Sequence, residues 1–398
     1  MRGSDEQAGL LRSRSIGMID IFGLPGPMEG DRVAMARVRG AMSAFLHSFG
    51  AVHSLLRASD SWLTGFDPEF SAALGSAGWI GMTWPREYGG GERTEFERFA
   101  AIEELLRSGA PVAAHWFADR QVGPALLRVG TEEQRQRFLP GMAAGDIYFA
   151  IGMSEPESGS DLASVRTTAR RDDGGWVLSG TKTWTSNAHR CHYLVVLCRT
   201  GDRSDAGGGL TQLLVSARAS GLDIRPIPSL GGEAHFCEVF FDEVFVPDTD
   251  VLGTVGGGWA QVLTELSYER GGPERYLSPM PLLLSWLEGA EGFDEAASAD
   301  AGRALAELWS VREASLRVAR ARGDNFDQAI GAALVKDVGT RLEQELVGVV
   351  RRHVSSEDMD DTLFTDLHRA VLHAPGFTLR GGTTEILRSI VARALLEP

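Results

Sequence analysis

The chain has 398 residues, 43% of them hydrophobic and 23% charged, and a formal net charge of −15. That length exceeds what one hydrophobic core usually serves, so more than one structural unit is expected. The acidic balance argues against a nucleic-acid binder, which needs a basic face, and any phosphate-bearing ligand has to be held by local donors against the global field.

In chain order, residues 1–30 are mixed and broken by Gly23-Leu24-Pro25-Gly26-Pro27, and they read as a loose leader. The start, Met1-Arg2-Gly3-Ser4-Asp5, lacks the apolar stretch of a signal peptide. Over 33–56 apolar residues recur at helical spacing: Met35, Val38, Met42, Phe45, Leu46 and Phe49. A glycine-rich break at 89–91 follows, and the helical period resumes through Phe96, Phe99, Ile102, Leu105 and Leu106. Thr131-Glu132-Glu133-Gln134 has the form of a capping box. Residues 31–148 are therefore predicted to form an N-terminal helical domain.

The character changes near Tyr148. Short β-rich runs at 176–180, 193–197, 210–215 and 236–246 are separated by Gly, Asp and Ser, which predicts a central, β-barrel-like domain over 149–250. After Pro247 the helical period returns in a stripe of Trp259, Val262, Leu263 and Leu266. Long helices are predicted at 304–320, 329–350 and 385–396, giving a C-terminal helical bundle over 251–398. The fold class expected is α+β and multidomain.

No run approaches the ~20 apolar residues of a membrane span. Three cysteines, Cys191, Cys198 and Cys237, form no CxxC pair and point to a reducing, cytoplasmic setting. Nine histidines show no metal-ligand spacing, and His368 and His373, five apart, read as core or surface residues.

Residues 151–161 read Ile-Gly-Met-Ser-Glu-Pro-Glu-Ser-Gly-Ser-Asp, and Thr181-Lys182-Thr183-Trp184-Thr185-Ser186-Asn187 follows. Ser154, Ser160 and Ser186 are small hydroxyl donors, and Gly159 lets backbone approach a phosphate or a ring edge. Trp184 offers a flat apolar face, and Glu155-Pro156 fixes a turn. These segments resemble the acyl-CoA dehydrogenase family, whose signature runs Met-Ser-Glu-Pro, Gly-Ser-Asp, then Gly-x-Lys-x-Trp. The helix–β–helix order is similar to that family from about residue 30 onward.

The resemblance implies FAD, an acyl thioester carried by coenzyme A or an acyl carrier protein, an electron-transferring flavoprotein as acceptor, and a homodimer or homotetramer. It implies flavin contacts from Met153, Ser154, Gly159, Ser160, Trp184, Thr185, Ser186, Thr383, Thr384 and Glu385. Ser160, Ser267, Arg270 and Gly382 are expected to touch substrate.

Abstracting an α proton needs a shielded carboxylate within reach of Cα. Many relatives carry glutamate where Gly381 stands here, and glycine cannot be a base. Branches resembling the isovaleryl and long-chain enzymes place it at the position of Glu269, at the edge of the apolar face of its helix, with Arg270 as a supporting cation. Gly381-Gly382-Thr383-Thr384, opening a helix, is a ready anion site. One family element is missing: no Arg-x-x-Phe-Gly-Lys follows Glu269, where Gly-Gly-Pro-Glu-Arg-Tyr stands instead. That departure touches the flavin contacts between subunits. An oxidase or monooxygenase of the same fold and a non-catalytic flavoprotein subunit are the rival readings.

Overall fold

The computed structural model describes residues 26–53, 58–201, 209–323, 328–355 and 359–396. The predicted leader thus falls mostly outside the described residues, and its last two positions, Glu29 and Gly30, already belong to the first helix. That helix, α1 (Glu29–Val52), buries Met35, Val38, Met42, Leu46 and Phe49, the three-and-four spacing read from the sequence. Phe45 is only half-buried but stacks on Phe49 at 6.3 Å. The covered face lies on α3 (Glu95–Arg107), which follows α2 (Pro68–Ser76) and starts with a Thr94/Glu97 capping box.

Next, α4 (Ala113–Phe117) runs through one π turn, Ala118–Val122, into α5 (Gly123–Val129). The predicted capping box forms at α6 (Glu132–Ala143): Thr131 Oγ1 accepts from the Gln134 amide, and Gln134 Oε1 accepts from the Thr131 amide, both at 3.2 Å. Gln134 does more than cap. Its Nε2 donates to Thr249 O at 2.7 Å and Val251 O at 2.8 Å, tying the helices to the strands behind them.

The strands are β1 (Phe149–Gly152), β2 (Thr168–Asp172), β3 (Gly175–Ser186), β4 (Tyr193–Arg199), β5 (Leu210–Ser216), β6 (Leu222–Ile227), β7 (Phe236–Pro247) and β8 (Val251–Leu252). They make one eight-stranded sheet in the order β6-β7-β3-β2-β4-β5-β8, with β1 parallel to β4. The sheet is open, which corrects the barrel-like expectation. Its ends are β6 and the two-residue β8, and they do not pair with each other. Alternation along a strand reports which face is buried but not whether the edges meet. The long β3–β7 ladder slips between Lys182 and Thr185, and this bulge carries Trp184 at φ 57°.

The last part is helical: α7 (Gly258–Arg270), α8 (Met280–Glu288), α9 (Glu295–Gly323), α10 (Ala329–His353), α11 (Asp361–Phe377) and α12 (Thr384–Leu396). Within α7 the stripe was read one residue too wide, since Val262 is fully buried while Leu263 is 53% exposed. α10 is the axle, packed against α7, α8, α9, α11 and α12. Its inward stripe of Ala332, Val335, Leu342, Leu346 and Val350 also carries two charged residues, Lys336 and Glu343.

Candidate active site

Three short segments carry the candidate residues: 153–167 with 182–187, the end of α7 with 271–275, and 380–385. The first pair is stitched by one buried ion pair. Lys182 Nζ donates to Glu155 Oε1 at 2.8 Å and to Met153 O at 2.9 Å, while Glu155 accepts from the Arg166 and Thr167 amides at 2.7 and 2.9 Å. Burial opposes the charge on Glu155, but Lys182 and these amides outweigh it and hold the carboxyl below its ordinary value. The Thr183 amide donates to Ser154 O, so the two sequence motifs form one surface.

On that surface Trp184 is 58% exposed, an indole left open in left-handed backbone. Thr185 is the opposite case, 1% exposed with its hydroxyl oxygen lacking a partner among the described residues. A buried orphan hydroxyl beside an open indole suits a flat, polar-edged ring. Ser154, Met153 and Ser186 are partly buried beside them; Gly159 and Ser160 are exposed on the connecting loop, and a Cβ at Gly159 would meet nothing within 4 Å. No internal packing demands glycine there.

Glu269 ends α7 and is clamped by Arg275, whose Nη2 lies 2.5 Å from Glu269 Oε1 and whose Nε donates to Glu269 O at 3.1 Å. Arg275 is itself 1% exposed and lies over the Trp62 ring at 5.2 Å. Arg270 reaches the same stretch: its Nε donates to Gly381 O at 2.9 Å, and burial lowers its proton affinity. Gly381 has φ 69°, and a Cβ built there would stand 2.9 Å from Glu269 Oε1. A Cβ at Gly382, φ 101°, would meet Arg270 Nη2 at 3.1 Å. Positions 269 and 381, distant in sequence, therefore converge on one place. The side chain of Ser267 lies outside the described residues.

The Gly381–Thr384 helix start is less open than expected. Glu385, in the first turn of α12, takes up its own amide and the Thr383 hydroxyl, and those bonds hold its carboxyl below the ordinary value. Glu265, one turn before Glu269, accepts from Gln212 Nε2 at 3.0 Å, and burial pushes its carboxyl up to about 7.

Sequence reading missed the link between the two halves. Asp60, 2% exposed and in left-handed backbone, takes both oxygens to Arg380 Nη1 at 2.8 and 2.7 Å and faces His373 Nδ1 at 3.4 Å. His373 Nε2 reaches Glu233 Oε2 at 2.9 Å. Burial works against a charged His373, but its bonds to Asp60 and Glu233 prevail and push it up to about 9. From there rings run His373–His235–Phe236–Trp184 with centroids 6.0, 4.3 and 5.8 Å apart. This chain of contacts runs from the indole to Arg380, the residue before the glycine pair that Glu269 and Arg270 face.

Comparison with known proteins decides the family. Residues 41–146 match the acyl-CoA dehydrogenase N-terminal domain and residues 150–244 the middle domain of the same family. Acyl-CoA dehydrogenase IpdE1 of Mycobacterium tuberculosis is 34% identical over 337 residues, covering 81% of this chain and 86% of that protein. The chain belongs to the acyl-CoA dehydrogenase family. Acyl-CoA dehydrogenase FadE29 of the same organism is 31% identical over 81% of this chain and 86% of its own length. Among solved structures, the Tcur3481-Tcur3483 steroid ACAD is 27% identical with a TM-score of 0.82, over 93% of this chain and 97% of that one. The ChsE4-ChsE5 complex from Mycobacterium tuberculosis is 25% identical with a TM-score of 0.77, over 94% and 98%. The protein is thus an acyl-CoA dehydrogenase in a flavoprotein family, and no helix among the described residues is long and apolar enough to cross a membrane.

Proposed function

We propose that this acyl-CoA dehydrogenase holds FAD against Trp184, Thr185 and Ser186 and uses Glu269 as the base that removes the pro-R α proton of an acyl thioester, leaving a trans-2-enoyl product. The observation that carries this reading is the convergence at Gly381: the α7 carboxylate fills the space that a side chain at 381 would enter. FAD, when bound, supplies the acceptor for the hydride that leaves Cβ. Glu269 holds the proton at its carboxylate, Arg275 fixes that carboxylate's direction through backbone and side chain, and Arg270 anchors the glycine pair opposite. The partner we assign for reoxidation is an electron-transferring flavoprotein.

The missing Arg-x-x-Phe-Gly-Lys element supports a second reading of the assembly. Two similar proteins, the Tcur3481-Tcur3483 steroid ACAD and the ChsE4-ChsE5 complex, carry paired names, and we infer that this chain completes its flavin site with a different subunit rather than a second copy.

Anaerobic bleaching of copurified FAD by straight, branched and steroid-ring acyl thioesters tests the chemistry. Glu269→Gln is expected to stay yellow and to lose bleaching by about 10²–10⁴-fold, the usual worth of a positioned acid–base group. Near-normal bleaching in that variant would move the role to Glu265 or Glu385. A protein that stays colourless with FAD, alone and with its partner chain, would sink the whole reading.

A further inference from the structure

A small cleft of about 250 Å³ lies beside the end of α7, and charged side chains line it. Gly271, Gly272 and Pro273 form one wall, and Glu95, Arg98, Arg120 and Arg322 supply the polar ones. The glycine pair brings this turn close to its neighbours. A Cβ at Gly271 would collide with Val318 of α9, and one at Gly272 with both Glu274 Oε2 and Arg120 Nη2. α9 grips the same turn from both ends. Ser315 Oγ donates to Gly271 O at 2.6 Å, and Arg322 Nη2 donates to Tyr268 O at 2.9 Å, one residue before Glu269.

The charges around the cleft cancel. Arg120 pairs with Glu274 at 2.6 Å, Arg98 with Asp119 at 3.3 Å, and Arg322 with Glu95 at 3.5 Å. Three guanidiniums thus face three carboxylates. Their hydrogen bonding is nevertheless incomplete. Arg322 Nε and Glu274 Oε2 are buried with no hydrogen-bond partner among the described residues, on side chains only 7% and 1% exposed. A buried donor left open forfeits its hydration with nothing in return, which makes it a place for a ligand atom.

We propose that this cleft receives the far end of the acyl chain and selects a thioester whose tail carries a neutral oxygen, a hydroxyl or a ketone, accepting from Arg322 Nε. This rests on the acyl thioester reading above, which puts the reacting carbons at Glu269 on the same turn. A hydrocarbon tail would leave the buried donor open. A carboxylate tail would bring a fourth anion into a cleft whose three cations are already matched. The space falls below the roughly 300 Å³ of a whole-ligand pocket, so it suits the end of a chain. Arg322 is therefore a specificity-determining residue, without a part in the proton transfer.

The test uses the holoenzyme with acyl thioesters of several lengths, matched in sets that end in methyl, hydroxyl, ketone or carboxylate. Anaerobic bleaching gives kcat/KM for each, and calorimetry on Glu269→Gln gives affinities that do not depend on turnover. The parent should favour a hydroxyl or ketone over methyl by about 10- to 100-fold, the usual worth of a hydrogen bond to a charged group. Preference for either oxygen supports the subsite, and the two arms tell hydroxyl from ketone. In Arg322→Met the preference should vanish or reverse. Arg322→Lys keeps the charge opposite Glu95 but lacks the Nε donor, and the preference should fall almost as far.

A merely structural Arg322 gives a different pattern. A loosened α7 turn slows all four substrates together and leaves their ratios as in the parent, and that result overturns the assignment. A parent that takes the methyl-ended or carboxylate-ended thioester best also overturns it. If no thioester bleaches the flavin, the dehydrogenation reading fails, and the calorimetric preference still decides the subsite.

Discussion

Lys182 and Lys336 are both fully buried and both lie near a glutamate, but they sit in opposite settings. Lys182 donates to Met153 O and Glu155, and Glu155 accepts from two further backbone amides. The Lys336 ammonium has no hydrogen-bond partner among the described residues and is lowered to about 7 by burial, and the carboxylate that attracts it is clamped by Arg275. A closed network has one low-energy arrangement and serves as framework, whereas an incomplete one leaves a charge free to respond to ligand and pH. Burial alone would have classed the two lysines together.

The largest effect should come from breaking the closed pair. Lys182→Met strands Glu155 as a buried anion held only by amides, and loss of one partner of a buried pair costs about 3–5 kcal/mol. Urea unfolding should report that loss, with FAD lost from the 153–167 segment. Lys336→Met removes a cation with no bond to break, so it should fall within about 1 kcal/mol of the parent at pH 7, or above it. Equal destabilisation by both variants would abolish the distinction drawn here.

A third buried base, His373, sharpens the contrast because it has two anionic partners across the seam. Its folded value of about 9 lies above the ordinary 6.5, so its stabilisation is fully present below 6.5 and is lost as pH rises through about 9. The full shift would amount to about 3 kcal/mol at most. Lys336 pushes stability in the opposite direction over the same range, so the informative quantity is the difference between parent and His373→Gln. Between pH 6 and 10 the parent's melting temperature should fall relative to the variant's. Parallel curves would remove His373 from the interdomain link.

Much of this was legible in the chain. The α1 spacing, the Thr131/Gln134 box and the paired 151–161 and 181–187 segments report local structure; the box formed at its predicted residues, while α1 runs Glu29–Val52 rather than 33–56. The family resemblance drawn from those segments agrees with the domain matches. What stayed hidden depends on distance. Asp60 and Arg380 lie 320 positions apart, and no local period announces their contact. Arg275 sits inside the stretch read as a missing flavin element, and only folding reveals its grip on Glu269. Strands β1, β2, β6 and β8 and helices α2, α4, α5, α8 and α11 escaped, most of them because they are short, while α11 contains Pro375 near its end. The open edges of the sheet are likewise a matter of closure, which alternation does not encode.

The smallest expected effect comes from moving the Glu269 carboxylate to position 381. In Glu269→Gly, Gly381→Glu the new Cβ no longer meets Glu269 Oε1, and Arg275 Nη2, 3.0 Å from that Cβ position, remains as its counter-charge. Two penalties limit recovery. Residue 381 has φ 69°, and left-handed backbone costs a non-glycine residue about 1–2 kcal/mol. A carboxylate misplaced by about 1 Å can lose on the order of 10²-fold in rate. Bleaching should therefore rise above that of Glu269→Gly alone yet stay far below the parent, with altered preference between straight and branched thioesters. If no thioester bleaches the double variant faster than the single one, the convergence at 381 is only spatial, and glycine stands there for its backbone.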